Sequence, residues 1–293
     1  CIPCACIGTM RLPNQPPNRK PCSMPDPHER RTRICHPITR AVACLCVLFS
    51  FASGAIAGDA SIGVAANFTD TTRELTRHFE AETGHRVSAS FGSTGKLYAQ
   101  IRNGAPFDVF MAADVLRPEL IEEAQAGVNG TRFTYARGKL VLWSPTPDAF
   151  EDAPRYLEQQ PFARLAIANP KTAPYGLAAQ QVLEHIGQWQ PLQPKLVRGD
   201  SIAQTFQFVV SRNAQAGFVA ASQVKVWDED AGTLWQVPQA YYQPIDQQAI
   251  LLNRGTSQYA ARAWMDFLKF DTALGTIPSH AYAQGQRAPH HLL

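Results

Sequence analysis

The sequence contains no cysteine after position 46. Its seven cysteines all lie near the start of the chain, at Cys1, Cys4, Cys6, Cys22, Cys35, Cys44 and Cys46. A disulfide, a thiolate zinc site and a cysteine nucleophile are therefore excluded from residues 47–293. The eight histidines show no spacing that would combine them with Cys or with Asp/Glu pairs. We therefore expect no metal ion held by side chains, and no cofactor.

An excess of positive charge is also absent from most of the chain. The full sequence has a net charge of +3, but seven of its 27 Lys and Arg, and only two of its 24 Asp and Glu, lie in residues 1–57. The remaining residues hold 20 basic and 22 acidic side chains, a net charge of −2. Because no basic stripe is present, we expect no nucleic-acid partner.

The most apolar run of the N-terminal region is too short to cross a membrane. A spanning helix needs about 20 apolar residues, whereas this run covers residues 41–52. It follows four arginines within 30–40 and precedes the small-x-small sequence Ala55-Ile56-Ala57. This order is typical of a cleavable signal peptide, which we place at residues 30–57 and which predicts a periplasmic protein. Residues 1–29 are rich in Pro and Cys without periodicity, so we expect an unfolded or wrongly assigned extension there.

A nucleotide-binding P-loop is missing as well, although Gly95-Lys96 resembles the end of one. The motif requires glycine five residues before Gly95 and Ser or Thr directly after the lysine. The sequence has Ser90 and Leu97 at these positions. A nucleotide site is therefore not expected.

The sequence does contain a regular alternation of short apolar strands and amphipathic helices. The pattern predicts strands at 62–65, 87–91, 109–111, 140–143, 165–168, 195–197, 217–220 and 249–252. Helical periodicity follows most of these strands, and a Pro-rich stretch at 144–147 separates two such units. Strand–helix alternation favours an α/β fold with largely parallel sheets.

Four strand-to-helix junctions share a composition of small and polar residues. They are Ala65-Ala66-Asn67-Phe68, Gly92-Ser93-Thr94-Gly95, Ala173-Pro174-Tyr175-Gly176 and Gly199-Asp200-Ser201-Ile202. In parallel sheets such junctions lie at one edge, where ligands bind. Each helix N-terminus offers free N–H groups and about half a positive charge. Four of them facing one cleft predict a site for a small dianion that needs no buried Lys or Arg.

The mature chain resembles the periplasmic molybdate-binding proteins of molybdate import systems, which are type II solute-binding proteins. The resemblance covers about 60–287. Its most specific stretches are Ser-Phe-Gly-Ser-Thr-Gly-Lys-Leu-Tyr-Ala-Gln-Ile (90–101), Asn-Gly-Ala-Pro-Phe-Asp-Val-Phe (103–110), Phe-Thr-Tyr-Ala-Arg-Gly-Lys-Leu-Val-Leu-Trp-Ser (133–144) and Ala-Pro-Tyr-Gly-Leu-Ala (173–178).

The resemblance implies a two-lobe type II periplasmic-binding-protein fold of the α/β class, with the ligand cleft between the lobes. Lobe I is expected to comprise residues 58–138 and 246–293, and lobe II residues 139–245. The implied function is capture of molybdate, and of tungstate with the same shape and charge, for an inner-membrane ABC permease. A monomer that is not an enzyme is expected.

The family's ligand contacts can be carried over by position. The resemblance assigns a side-chain and N–H donor to Asn67, a hydroxyl and N–H donor to Thr94 beside Ser93, and backbone donors to Tyr175 and Ile202. Two positions depart from some members of the family. Ala66 offers only its N–H where one branch has a further donor, and Ala220 stands where another branch has a tyrosine hydroxyl.

Two alternatives remain open at this point. A sulfate or phosphate binder would use the same kind of site. An exported serine hydrolase would use Ser201 in an elbow-like turn, with Asp246 and His280 as partners, although Ser201 is more simply a helix N-cap.

Three charged residues near the junctions are assigned other roles. Asp200 is expected to cap its own helix, and Lys96 to lie out of contact with the anion. Asp108 is expected to cap a strand or to face solvent.

Overall fold

The computed structural model describes residues 57–228 and 232–284. The predicted extension at 1–29 and nearly all of the predicted signal peptide lie outside these residues. The described chain forms two β-sheets, each covered by helices. We call the six-stranded sheet with its helices lobe I, and the five-stranded sheet with its helices lobe II.

Lobe I is built on a mixed sheet with the strand order β11-β4-β10-β3-β1-β2. Its strands are β1 (Asp59–Ala65), β2 (Arg86–Gly92), β3 (Val109–Met111), β4 (Phe133–Gly138), β10 (Ile245–Leu251) and β11 (Ala283–Gln284). β1 runs parallel to β2 and β3, whereas β10 is antiparallel to β3 and β4. Ala65 pairs with Gly92, so the first two junctions leave the sheet side by side.

The helices of lobe I contribute buried apolar side chains to the cores beside this sheet. They are α1 (Thr69–Thr83), α2 (Thr94–Arg102), α3 (Leu116–Glu123), α9 (Tyr259–Phe267) and α10 (Asp271–Ser279). Leu75 and Phe79 of α1 and Trp264 of α9 are fully buried against Ile62 and Val64 of β1. Burial of such side chains stabilises a domain by about 1.5–3 kcal/mol each.

Lobe II is built on a sheet with the strand order β7-β6-β8-β5-β9. Its strands are β5 (Leu140–Ser144), β6 (Leu165–Ala168), β7 (Leu196–Gly199), β8 (Ala216–Ala220) and β9 (Thr233–Gln236). Its helices are α4 (Ala153–Gln159), α5 (Pro174–His185), α6 (Trp189–Leu192), α7 (Ile202–Val210) and α8 (Ala221–Asp228). Ala168 pairs with Gly199 in parallel register, so the third and fourth junctions also leave the sheet together.

Short 3₁₀ turns complete the chain path. They lie at Ala66–Phe68, Gln193–Lys195, Gln239–Tyr241 and Asn253–Ser257. The chain passes from lobe I to lobe II between β4 and β5, at Lys139, and returns between β9 and β10. Within the described ranges, none of the helices combines the length and the apolar character that a membrane crossing needs.

The strand prediction finds eight of the eleven strands in the described residues. All eight predicted strands are present, with ends shifted by a few residues. The three strands that the apolar pattern does not indicate are the edge strands β9 and β11 and the inner strand β4, which lies between β11 and β10. The burial pattern of β9 alternates between half-buried and exposed residues, so it carries little of the apolar signal that marks the inner strands.

Candidate functional site

A small cavity lies between the two lobes, where the four predicted junctions meet. It is lined by Ala65, Ala66, Asn67, Gly92, Ser93, Thr94, Ala113, Ala173, Pro174, Tyr175 and Ile202. Gly92 and Pro174 are half-buried, and the other lining residues are buried. The space open to the centre of a water-sized sphere is about 10 Å³, which is close to the least that admits one water molecule. None of these eleven lining residues carries a charge.

The first junction is a 3₁₀ turn that continues into α1. Asn67 lies in this turn and is buried. Its Nδ2 donates to Gln247 Oε1 at 2.9 Å and to Tyr282 Oη at 3.1 Å. Both amide hydrogens are therefore used inside lobe I. The expectation was that this side chain donates to the ligand. The N–H groups of Ala66 and Asn67 begin the turn and have no acceptor within it, so they remain as the donors of this junction.

The second junction places two hydroxyl groups at the cavity. Thr94 Oγ1 accepts a hydrogen bond from Ala113 N–H at 3.0 Å, so its own proton is free to be donated to a ligand. Ser93 Oγ is buried and has no hydrogen-bond partner among the described residues. An unpaired buried hydroxyl costs about 1–3 kcal/mol, so the Ser93 hydroxyl needs a partner such as a water molecule or a bound ion. Thr94 begins α2, so its N–H also lacks an intrahelical acceptor.

Lobe II contributes backbone donors from the first turns of α5 and α7. Tyr175 and Ile202 lie in these turns and are 1% and 4% exposed. Their N–H groups have no acceptor within the helix. Ser201 Oγ accepts from Gln204 N–H at 3.3 Å and caps α7, which confirms its predicted N-cap role. All six predicted site residues, including Ala66, therefore lie around one cavity.

The charged groups nearest to the junctions form an ion pair outside the cavity lining. Lys96 Nζ lies 2.8 Å from Asp200 Oδ2, and their side chains are 50% and 69% exposed. The expectation that Asp200 caps α7 is wrong, because Ser201 performs that role while Asp200 pairs with Lys96 of lobe I. Lys96 is not among the residues that line the cavity.

The two lobes also touch through backbone atoms beside the cavity. Gly95 N–H in α2 donates to Thr172 O of lobe II at 2.9 Å. A Cβ at position 95 would lie 2.9 Å from the same oxygen, so only glycine permits this approach without a shift. The predicted turn glycine is therefore a contact between the lobes.

The residues proposed for a hydrolase are engaged elsewhere. Asp246 forms an ion pair with Arg137 at 2.6 Å. His280 Nε2 lies 3.3 Å from Glu74 Oε2, and its Nδ1 faces Thr276 O. Ser201 is the helix cap described above. Within residues 57–228 and 232–284, no cluster of His, Cys, Asp and Glu is suited to hold a metal ion.

Several residues around the site carry no sequence signal for it. Tyr282 Oη donates to Asn67 O at 2.6 Å and lies 2.8 Å from Ser222 Oγ of lobe II. Tyr135 Oη donates to Gln247 Oε1 at 3.2 Å. Burial raises the pKa of Tyr135, Tyr175 and Tyr282 above the ordinary value for tyrosine, so these phenols stay neutral. Among the residues around the site that the sequence analysis did not name, Ala113 could have been predicted, since it follows the third predicted strand.

Known proteins with similar sequences and structures are binding proteins. The chain is 48% identical over 232 residues to the molybdate-binding protein ModA of Azotobacter vinelandii, covering 79% of this chain and 92% of that protein. It is 44% identical over 238 residues to ModA of Rhodobacter capsulatus, covering 81% and 93%. The solved structure of an Azotobacter vinelandii periplasmic molybdate-binding protein matches with a TM-score of 0.75 at 38% identity, covering 78% of this chain and all of that one.

These similarities extend across both lobes and include every junction of the cavity. They support the predicted two-lobe α/β fold and agree with the expectation that the chain is not an enzyme. The bacterial extracellular solute-binding protein family matches residues 60–282. The chain belongs to this family of bacterial extracellular solute-binding proteins.

Proposed function

We propose that this protein captures molybdate, and also tungstate, in the cavity between its lobes and delivers the anion to an ABC permease. The observation that carries the proposal is the uncharged cavity where the four junctions meet. It combines backbone N–H groups with the free proton of Thr94 Oγ1 and the unpaired hydroxyl of Ser93. The names of the relatives supply the identity of the anion.

Neutral donors are sufficient for tight binding of a dianion. Hydrogen bonds to a charged group contribute about 1.5–3 kcal/mol each. The donors assigned to Asn67, Thr94, Ser93, Tyr175 and Ile202, with the N–H of Ala66, would contribute several such bonds. Micromolar to nanomolar affinity corresponds to roughly −8 to −12 kcal/mol. The set therefore has enough donors without a buried Lys or Arg.

The cellular setting of this function is part of the same proposal. We infer that residues 30–57 act as a signal peptide, that cleavage leaves Gly58 near the N-terminus, and that the mature protein works as a monomer in the periplasm. We place lobe I at residues 58–138 and 246–293 and lobe II at 139–245. The two chain crossings between the sheets support these boundaries.

Isothermal titration of the purified protein with molybdate, tungstate, sulfate and phosphate tests the proposal. Tight binding of the first two and negligible binding of the last two are expected. Sulfate carries the same charge but is smaller, so donors fixed on two packed lobes cannot all reach it, and each unmet donor costs about 1–3 kcal/mol. Phosphate keeps a proton at neutral pH and would meet a set of donors only.

Two results would contradict this assignment. Equal binding of sulfate and molybdate would remove the size argument. Phosphate binding that disappears in Asp200→Asn would show that this carboxylate accepts the phosphate proton, and would place the protein among phosphate binders.

A further inference from the structure

The side chain of Tyr175 reaches across from lobe II to a gap in lobe I. A Cβ built on Gly138 would lie 2.2 Å from Tyr175 Oη and 2.9 Å from its Cζ. Gly138 is the last residue of β4, directly before the chain crosses to lobe II. Its backbone is not in the left-handed region, so glycine is required here for space and not for conformation.

Gln247 forms another side of the same gap. Gln247 Nε2 lies 3.0 Å from the Cβ position built on Gly138. Gln247 lies on β10, is fully buried, and sits at an irregularity in the pairing of β10 with β4. Its Oε1 accepts from Asn67 Nδ2 at 2.9 Å. One amide of lobe I therefore touches the loop of Asn67 and also faces the phenol of Tyr175.

The two facing polar atoms have no other partner. Tyr175 Oη and Gln247 Nε2 are both buried without a well-formed hydrogen bond to any described residue. They are complementary, since the amide can donate to the phenol oxygen. Burial is the main cause that raises the pKa of Tyr175, and the neighbouring Gln247 amide acts in the opposite direction as a donor.

We propose that the gap at Gly138 and the amide of Gln247 receive the Tyr175 side chain when the lobes close, and so position both Tyr175 and Asn67 around the ligand. Gly138 and Gln247 are positioning residues that do not line the cavity. The contact joins β4 and β10 of lobe I to α5 of lobe II, so a relative motion of the lobes would change it. This inference rests on the proposed oxyanion-binding function.

The first test fills the gap. Gly138→Ala is expected to weaken molybdate binding about tenfold or more, mainly by faster dissociation, because most affinity changes within one interface lie in the off-rate. Adding Tyr175→Phe removes the atom closest to the new methyl group and should restore part of the affinity. Gly275→Ala is the matched control, since a Cβ there meets nothing within 4 Å. Calorimetry gives the dissociation constants, and stopped-flow tryptophan fluorescence gives the rates.

The second test is a double-mutant cycle that does not depend on the folding of Gly138→Ala. Gln247→Met and Tyr175→Phe are each titrated with molybdate, alone and combined. The combined loss should be smaller than the product of the single losses by about fivefold, which is within the range for residues in contact. Gln248→Met is the strand-matched control, because Gln248 instead bonds Arg132 and Thr134.

The outcomes separate this inference from the proposed function. If the wild-type protein binds molybdate and Gly138→Ala has the same binding rates, the inference is overturned and the proposed function stands. The same holds if the affinity losses of Gln247→Met and Tyr175→Phe multiply fully in the double mutant. Equal loss of affinity in Gly138→Ala with and without Tyr175→Phe would also overturn it. A wild-type protein that binds none of the four oxyanions would overturn the proposed function and this inference with it.

Discussion

The hydroxyl of Thr94 offers the sharpest test of a site made of neutral donors. Thr94 is 1% exposed, and its Oγ1 accepts the Ala113 N–H at 3.0 Å. Replacement by valine keeps the shape of the side chain but removes both the acceptor for Ala113 and the donor for the ligand. Thr94→Val should therefore lower both the free energy of unfolding and the affinity for the ligand, and the two effects can be measured separately.

The two magnitudes follow from the structure. Leaving the buried Ala113 N–H unpaired should destabilise the free protein by about 1–3 kcal/mol. Losing one hydrogen bond to a dianion should cost about 1.5–3 kcal/mol of binding, which is roughly a 10- to 100-fold rise in the dissociation constant. Thr94→Ser keeps the hydroxyl and should stay close to wild type in both measurements.

Urea unfolding without ligand and titration calorimetry with molybdate measure these two effects separately. If Thr94→Val is destabilised but binds molybdate as tightly as Thr94→Ser, the hydroxyl only supports Ala113 and does not contact the anion. If Lys96→Ala abolishes binding while Thr94→Val does not, the anion is held by a charge and the neutral site is wrong.

Three further outcomes are expected. Lys96→Ala should change molybdate affinity by less than about fivefold at physiological salt, because exposed ion pairs such as Lys96–Asp200 contribute about 0–1 kcal/mol; titration at two salt concentrations checks this. Asp108→Ala should destabilise the fold by about 1–3 kcal/mol in urea, since it leaves the Ser61 N–H, now 2.7 Å from Asp108 Oδ2, without its acceptor. Mass spectrometry of the exported protein should find an N-terminus at or within a few residues of Gly58, and retention of residues 1–40 would contradict the predicted cleavage.

The sequence was sufficient to bring the predicted site residues to one cavity because each lies in a junction between a strand and the next helix. Parallel strands bring their carboxyl ends to one edge, and the apolar pattern locates those strands. Thr94, Tyr175 and Ile202 then follow from counting along each junction. Their assignment to particular donor groups came from the family resemblance. The local pattern alone predicts a site for an anion but not which groups donate to it.

Side-chain partners that are distant in sequence could not be predicted in the same way. The contact between Asn67 and Tyr282 spans 215 positions, and that between Asn67 and Gln247 spans 180. No local periodicity encodes such pairs, so the expected orientation of the Asn67 amide did not match the structure. Asp108 shows the same effect. The prediction of a strand cap or an exposed side chain missed its burial at 2% exposure beside Arg254, 146 positions away.

The division of the donors between the lobes has a consequence for closure. Lobe I supplies the first two junctions and lobe II the other two, so neither lobe alone can surround the anion. The exposed Lys96–Asp200 pair contributes about 0–1 kcal/mol across the cleft, whereas each charge-assisted bond to the ligand contributes about 1.5–3 kcal/mol. Several donors bonded to one anion would therefore hold the lobes together more strongly than this ion pair does. Binding of the anion is therefore expected to favour the arrangement in which the two lobes are together.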